Sequence, residues 1–476
     1  MAPTKEEQPN KKKHKASTPA SKQKNHKASA AALKQKQQES SSKHKPGLKN
    51  SKKQKREPLF TRAERNWVSF DMGHAAVSMF NTAIVPIYAA SLAVAGITSA
   101  EIVGTWGITQ TIASLIVALL MPILGSLADY KGQKIKFLVA FSLLCIGAAF
   151  VEVLPLSYVP FLVVYVLMII GMNSVRTFYD AMLVDVTTDK RMNNVSSLGF
   201  GLAYLTSVIP FVLCILLIFF GPAVFGLDKA ACTRLGFGIS GLWMLVFALP
   251  LFFTYQQKYG KKRRSIGKEI QKTFTGLGKT MKTMMQDKRL LYFLLGFFFY
   301  IDAVYTVIAM ATNYGAALGI DENHLILALL ATQFVAFPST ILYGLLADKY
   351  GTRKLIIVAI FGYMGIVTFG TFFLKGPVDF WILALLVGVF QGGIQALSRS
   401  FFGRIISKKK SNEYFGFFNV FGAFARVLGT AMVSFFTFLT GNPSVGVFSI
   451  MILLVFGLVF MLLMPKEGLQ GEEVVR

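Results

Sequence analysis

The sequence predicts an all-α membrane protein with twelve transmembrane helices arranged in two six-helix halves. Its 476 residues are 53% hydrophobic and include 43 Phe, with a mean hydropathy of +0.52, more apolar surface than one soluble domain can bury. The apolar residues fall into runs of about 20 residues or more, long enough to cross a bilayer. The segment GSLADYKGQKIK at 125–136 returns as GLLADKYGTRK at 344–354, which indicates two related halves.

Twelve apolar runs are predicted as membrane spans. Those of the N-terminal half, residues 66–256, lie near 66–92, 100–127, 136–154, 157–184, 196–220 and 234–256. Those of the C-terminal half, residues 289–465, lie near 289–318, 323–347, 354–374, 378–406, 411–440 and 443–465. A basic linker, residues 257–288, joins the halves, and a short cytoplasmic tail, residues 466–476, follows the last span.

Residues 1–65 are predicted to form a basic, disordered cytoplasmic tail. They hold 19 Lys and Arg residues against 5 Asp and Glu residues, a net charge of +14 out of +26 for the whole chain. They contain no apolar run that could serve as a signal-peptide core. Such a tail can bind anionic lipid head groups or nucleic acid, or it can be a solvated segment that only fixes the topology.

The linker begins with KYGKKRR and continues with apolar residues at helical spacing. This pattern predicts an amphipathic helix on the inner membrane surface, in contact with anionic lipid head groups. Within it, TFTGLGKT at 273–280 is similar to a phosphate-binding loop, but Thr273 stands in place of the first glycine and no strand precedes it. We therefore expect no nucleotide and no ATP-driven pump.

The connections that carry most Lys and Arg, including both repeated loops and the linker, fall on one side of the predicted membrane. The positive-inside rule places this side and both termini in the cytoplasm. Without a cleavable signal, the chain fits a bacterial inner membrane and is also compatible with a vacuole. Its three cysteines lie in apolar runs or a short connection, so they predict neither a disulfide framework nor a metal site, and no cofactor is expected.

Charged and polar side chains inside the spans are functional candidates, because each charge costs about 2.5–3.5 kcal/mol in hydrocarbon. They are Asp71, His74, Asn81, Asn173, Arg176, Asp180, Asp302, Tyr305, Gln391, Gln395, Arg399 and Arg426. Most lie in spans one, four, seven and ten, which hold corresponding places in successive groups of three. We expect these spans to line one central cavity.

Several of these residues allow two interpretations. Arg176 and Asp180 are four residues apart on one helical face and can neutralise each other. Asp302 and Arg426 can form an ion pair that opens when substrate or a proton arrives, or a permanent structural pair. The groups that could carry a coupling proton are Asp71, His74 and Asp180, although a single His inside a membrane can also be a hydrogen-bonded packing residue.

The repeated loops match the pattern Gly-x-Leu-Ala-Asp-x-x-Gly-x-[Arg/Lys] after the second and eighth spans, and this resembles the major facilitator superfamily of transporters. The stretch FQGGIQALSRSFFGRIISKKKSNEYFGFFNVFGAFARVLGT at 390–430 resembles its vacuole-effluxer-like branch, related to the fungal autophagy protein that exports amino acids from the vacuole. Residues 178–205 are similar to the same branch. There are departures: His74 and Ala75 replace the Asn and Ser that usually follow the Asp of the first span, and Gln133 replaces a basic residue.

This resemblance implies a secondary transporter that works by alternating access, with gating elements in the two repeated loops. The implied gating residues are Gly125, Asp129, Gly132, Lys134, Gly344, Asp348, Gly351 and Arg353. The implied substrate-binding residues are Asn173, Arg176, Asp302, Tyr305, Gln391, Gln395, Arg399 and Arg426. Since this set carries both signs of charge, it suits a zwitterion such as an amino acid or a small peptide.

Two other functional classes stay open from the sequence. One is a proton-coupled transporter of drugs or sugars, since amides and Arg also bind sugars and organic anions. The other is a membrane scaffold or sensor that transports nothing and acts through its basic tail. Deletion of residues 1–60 distinguishes the scaffold from a transporter, because only a transporter is expected to keep its activity.

Overall fold

The computed structural model describes residues 60–92, 99–262, 266–317 and 319–465. Within these ranges the chain is helical and contains no strand. The N-terminal half comprises α1 Arg62–Ala83, α2 Val85–Ser91, α3 Ser99–Ala128, α4 Lys134–Val151, α5 Tyr158–Val186, α6 Met192–Phe225 and α7 Lys229–Thr254. The linker helix is α8 Ile266–Gln286. The C-terminal half comprises α9 Lys288–Ala317, α10 Glu322–Tyr350, α11 Thr352–Phe372, α12 Pro377–Ile405, α13 Ser411–Thr440 and α14 Pro443–Leu463.

Ten of these helices are long and apolar enough to cross a membrane, which makes the chain a multi-pass integral membrane protein. The other two predicted spans do not meet this criterion within the described residues. The first is divided into α1 and α2 beside Pro86, and α1 carries polar side chains. In α13 only Leu428–Thr440 is a shorter apolar helix. The count of twelve spans therefore stays a prediction.

The first span begins at Arg62, earlier than the predicted residue 66, because a capping box starts the helix. The Thr61 backbone N–H donates to Glu64 (2.8 Å), and the Glu64 N–H donates to the Thr61 hydroxyl (3.2 Å). Glu64 also accepts hydrogen bonds from Arg191 (2.8 Å) and Thr187 (2.6 Å). The start of α1 is thereby tied to the connection between α5 and α6.

Each half has its own buried core, and the many Phe residues pack in these cores. In the N-terminal half Phe161 and Phe237 pack with their rings 6.1 Å apart. In the C-terminal half Phe418 stacks on Phe297 at 3.9 Å and on Phe402 at 4.6 Å. Packing within the two halves therefore explains part of the aromatic excess, while other Phe side chains, such as Phe253 and Phe438, are exposed.

The repeated loops form matching turns at one end of the protein. Gly132, between α3 and α4, has a φ of 78°, and Gly351, between α10 and α11, has a φ of 97°. A side chain is disfavoured at such backbone angles, so a glycine is needed at both positions. We call this end of the protein the motif face and the opposite end the distal face.

The linker helix α8 packs against α3 and α9, with Thr280 and Met284 buried. Its phosphate-loop-like segment at 273–280 is helical, so it does not form a phosphate-binding loop. The lysine Nζ of Lys410 donates to the Thr280 hydroxyl at 2.8 Å. The linker helix is therefore docked onto the protein close to the motif face.

Candidate functional site

Four charged side chains meet between the two halves of the protein. Arg399 of α12 is only 2% exposed and pairs with Asp71 of α1 at 3.3 Å and Asp180 of α5 at 3.2 Å. Arg176 of α5 pairs with the same two carboxylates, at 3.2 Å and 3.8 Å. We call these four residues the charge cluster. Its formal charges cancel, as a buried ionic site requires.

Three aromatic rings enclose the Arg399 guanidinium. Its central carbon lies 4.2 Å from the ring centroid of Phe200, 4.7 Å from that of Trp67 and 5.5 Å from that of Tyr179. Trp67 stacks on Tyr179 at 4.5 Å and donates its indole N–H to the Tyr179 carbonyl. The rings exclude water from one side of Arg399, which strengthens its ion pairs.

Arg399 is also the link between the two halves. It projects from the C-terminal half, whereas the other three members of the charge cluster belong to the N-terminal half. Its Nε donates to the Ser196 hydroxyl (2.9 Å) and its Nη2 to the Ser196 carbonyl (3.0 Å). With its hydrogen-bonding groups engaged inside the protein, Arg399 is placed here to hold α12 against α1, α5 and α6.

Arg176 is the more accessible arginine, with a side chain 27% exposed. Tyr305 lies within electrostatic range of Arg176 and Tyr204, and Tyr204 accepts a hydrogen bond from Gln395 at 3.2 Å. Asn173 is half-buried one turn before Arg176. The structure therefore brings four predicted substrate-binding residues to one place: Asn173, Arg176, Tyr305 and Gln395.

Two other predicted substrate-binding residues, Asp302 and Gln391, do not join this group. Asp302 is buried between α9 and α13, where its carboxylate accepts from the Gly429 N–H (3.0 Å) and the Thr306 hydroxyl (3.3 Å). Gln391 lines a mostly apolar cavity of about 90 Å³ inside the C-terminal half. Arg426 lies in α13, but its side chain is outside the described residues, so its pair with Asp302 stays a prediction.

His74 lies one turn from Asp71 on α1 and is buried. Its Nε2 is 3.1 Å from the Met172 carbonyl, which joins α1 to α5. Asp71 and Asp180 both lie within electrostatic range of the ring. The three residues predicted to carry a coupling proton are therefore close together.

A second polar network lies at the motif face. One oxygen of Asp129 accepts from the N–H of Asn412 (2.9 Å) and from its side chain (3.0 Å), and the other accepts from the N–H of Glu413 (3.2 Å). These donors form the first turn of α13, where the helix dipole favours an anion. Asp129 of the N-terminal half thus binds the start of a helix of the C-terminal half.

Asp348 makes the corresponding contacts from the C-terminal half to the N-terminal half. It accepts from the side chains of Asn193 (2.8 Å) and Asn194 (2.6 Å) at the start of α6. Asp348 follows Asp129 by 219 residues, and Asn412 follows Asn193 by the same interval. The two contacts are therefore related by the internal duplication.

The asparagine partners were missed in the sequence, although KRMNN at 190–194 and KKSNE at 409–413 carry an asparagine after a basic loop at this same interval. Asp185 was also missed. It pairs with Lys134 at 2.6 Å, and Lys134 also reaches the Ser411 hydroxyl at 2.9 Å.

Arg353, predicted as a gating residue, donates to the Met461 and Leu462 carbonyls at the end of α14.

The first glycine of each repeated loop lies where a helix of one half crosses a helix of the other. A Cβ added to Gly125 would lie 2.5 Å from the Asn412 carbonyl oxygen, and one added to Gly344 would lie 2.7 Å from Ser197. Such close backbone approach needs a residue without a side chain. Hydrogen bonds join the halves here at the motif face, through Asp129 and Asp348. Another joins them between Gln395 of α12 and Tyr204 of α6.

Comparison with known proteins agrees with this architecture. The vacuole effluxer Atg22-like family model matches residues 18–471. The chain belongs to this family. Among its relatives, the uncharacterized MFS-type transporter YxiO of Bacillus subtilis (strain 168) is 40% identical over 418 residues, covering 86% of this chain and 96% of that protein. Autophagy-related protein 22 of Botryotinia fuckeliana (strain B05.10) is 22% identical over 466 residues, covering 85% and 75%.

Solved structures show that this Atg22-like chain has the major facilitator fold. The MFS transporter FucP in its outward conformation aligns with a TM-score of 0.61 at 14% identity, covering 85% of this chain and 99% of FucP. The proton:xylose symporter XylE aligns with a TM-score of 0.64 at 12% identity, covering 85% and 94%. Together with the relatives, these likenesses identify the protein as an MFS-type transporter.

Proposed function

We propose that the protein is a secondary transporter that moves a small polar metabolite, in the first place an amino acid, by alternating access. The observation that carries this proposal is the charge cluster. It lies between the halves, about two helical turns from the motif-face ends of α5 and α12, and only Arg399 comes from the C-terminal half. Rocking of the halves therefore has to make or break the Arg399 ion pairs, which couples the charge cluster to the movement of the two faces.

The described conformation corresponds to a state closed at the motif face. Contacts between the halves at that face include the Asp129–α13 and Asp348–α6 hydrogen bonds, and Lys408 pairs with Asp189 at 2.7 Å. The Lys and Arg content of the same connections supports a cytoplasmic motif face, with both termini on that side. The state is then outward-facing. A bacterial cell inner membrane is the proposed location, supported by the bacterial relative.

Arg176 and its carboxylate partners suit a zwitterion. A substrate carboxylate can bind the accessible edge of Arg176, while an ammonium group can approach Asp71 or Asp180. The description of the family as vacuole effluxers supports export as the direction of transport. An amino acid is the proposed cargo because both signs of charge meet at Arg176 and its carboxylate partners. A coupling proton is proposed to bind among Asp71, His74 and Asp180, since a substrate anion at Arg176 would weaken its hold on these carboxylates.

The experiment that tests this function is thermal unfolding of the purified protein with a panel of amino acids, dipeptides, sugars and lipophilic cations. A ligand that binds the folded state raises the unfolding midpoint by mass action. We expect an amino acid or dipeptide to stabilise the wild type and the exposed control variant Arg62→Met, but not Arg176→Met. Stabilisation by lipophilic cations alone, or an equal response of Arg176→Met, would contradict the zwitterion proposal.

Gly125→Val is expected to prevent closure of the motif face. The new side chain would collide with the Asn412 carbonyl in the closed state only, and overpacking of this kind costs about 1–3 kcal/mol. The ratio of open to closed protein should rise about tenfold or more, measured as the spin-label distance between exposed positions Lys136 and Lys409. Gly107→Val is the matched control. Gly107 lies on the same helix as Gly125, but a Cβ added there would meet nothing within 4 Å.

Acidification is expected to favour the closed motif face. Burial raises the pKa of Asp129 from 3.8 to about 6, although Lys261 and Lys134 oppose the shift. Opening exposes Asp129 and returns its pKa towards the ordinary value, so the closed state binds the proton more tightly. The free energy that favours the closed state should fall by up to about 3 kcal/mol as the pH rises from about 4 to about 6, and then level off. The closed population should fall with it. The same spin-label distance checks this, and Asp129→Asn should remove the dependence in this window.

A further inference from the structure

The first residues of the linker return to the motif face and lie along the repeated turn of the N-terminal half. The Lys261 N–H donates to the Asp129 carbonyl at 2.8 Å, and the Lys131 N–H donates to the Lys261 carbonyl at 3.1 Å. Together they form a short parallel bridge between Tyr130 and Lys261. The linker therefore does more than span the two halves, because its backbone is bonded to the loop that carries Asp129.

Two neighbouring residues make this approach possible. Gly260 lies so close to the loop that an added Cβ would be 2.9 Å from the Asp129 carbonyl oxygen. Gln257 accepts a hydrogen bond from the Gly132 N–H at 2.9 Å, at the residue with the positive φ. The linker is thus shaped to fit the turn.

Asp185, at the end of α5, anchors the same segment. It accepts from the Tyr255 hydroxyl (2.5 Å) and from the N–H groups of Lys258 (3.0 Å) and Tyr259 (2.9 Å), besides its ion pair with Lys134. Residues 255–262 are therefore held by α5 and by the α3–α4 turn, and the backbone of Lys261 belongs structurally to the N-terminal half.

The side chain of Lys261 reaches across to the C-terminal half. Its Nζ lies 3.0 Å from Glu413 at the start of α13 and 3.8 Å from Asp129. Both carboxylates are 1% exposed, and Ser126 gives the ammonium a further contact at 3.3 Å. Two buried carboxylates, one from each half, thus share the cation of the linker.

The duplicated site in the other half explains why this cation is needed. Glu413 follows Asn194 by 219 residues, the interval that relates Asp348 to Asp129. At the Asp348 site the corresponding residue, Asn194, is neutral and donates directly to the aspartate. At the Asp129 site a glutamate stands beside the aspartate instead. Like charges so close destabilise the contact unless a cation offsets them.

We propose that Lys261 is a latch residue, and that residues 257–262 of the linker are part of the device that closes the motif face. This inference rests on the proposed alternating-access function. Lys261 acts through Asp129 and Glu413, so it is a positioning residue and touches no substrate. Closure of the motif face completes the three-residue ion pair, and opening separates Glu413 from Lys261.

The test measures the motif-face distance between spin labels at Lys136 and Lys409 in the full-length protein. These side chains are exposed, one in each half, and the three native cysteines are buried. We expect Lys261→Met to raise the ratio of open to closed protein about tenfold and Lys261→Arg to keep it near the wild-type ratio. Lys262→Met is the matched control, because the neighbouring Lys262 is exposed, and it should change nothing.

The decisive variant combines Lys261→Met with Glu413→Asn, which copies the neutral arrangement of the Asp348 site. This pair should restore the closed population, and Glu413→Asn alone should stay closed. An unchanged distance in Lys261→Met, or a double variant as open as the single one, would overturn the latch. If Gly125→Val still opens the motif face in that case, only the proposed role of Lys261 is wrong. If no variant or ligand changes the distance, the proposed alternating-access function fails as well.

Discussion

Arg399→Met is expected to abolish transport and to shift the protein away from the state closed at the motif face. The substitution removes the cation that joins α12 to Asp71 and Asp180, and it leaves those two buried carboxylates with Arg176 alone. Removing one partner of a buried ion pair typically costs about 3–5 kcal/mol. Because this cost applies to the closed state, in which the pairs are formed, the ratio of open to closed protein should rise at least about 100-fold.

Transport into proteoliposomes and the Lys136–Lys409 distance check this expectation together. Arg399→Lys is the informative companion, because it keeps the charge but loses the double contact with Ser196. It should show intermediate transport. An Arg399→Met variant that folds, stays closed and transports normally would show that the charge cluster has no part in coupling the halves.

Arg176→Met is expected to weaken substrate binding strongly while leaving the closed motif face intact. Arg399 still pairs with both Asp71 and Asp180 in this variant, so the link between the halves remains. A charge-assisted hydrogen bond to a substrate contributes about 1.5–3 kcal/mol, so the dissociation constant should rise about 10- to 100-fold. Thermal stabilisation by the best ligand of the panel measures the affinity, and the spin-label distance measures closure.

The opposite behaviour of the two arginines is what separates their roles. If Arg176→Met opens the motif face while Arg399→Met only weakens binding, the two assignments must be exchanged. If both variants bind normally, the substrate site lies elsewhere, and the cavity beside Gln391 becomes the next candidate.

Local patterns in the sequence were sufficient to predict most of the helices. The predicted span 411–440 coincides with α13, and the span predicted at 100–127 differs from α3 by one residue at each end. These bounds could be predicted because helix ends depend on residues that are close in sequence, and because charged residues mark the loops between the spans. The start of the first span was predicted too late because the capping box at Thr61 precedes the apolar run.

The site was predicted only in part, because periodicity does not reveal which helix faces another. Arg176, Asp180, Asp71 and Arg399 were all singled out, yet the sequence did not indicate that both arginines share both aspartates. Asp302 was expected in the cavity, whereas its partners are the Gly429 N–H and Thr306. A carboxylate that binds a neighbouring backbone N–H through one oxygen has the same sequence signature as one that binds substrate.

The measurement that tests alternating access most directly follows both faces of the same protein. Spin labels at Lys136 and Lys409 report the motif face, and labels at the exposed Ser157 and Lys375 report the distal face. Opposite changes at the two faces are expected: Arg399→Met and Gly125→Val should lengthen the motif-face distance and shorten the distal one. Distances that stay fixed, or that lengthen together at both faces, would contradict a transporter whose halves rock about the charge cluster.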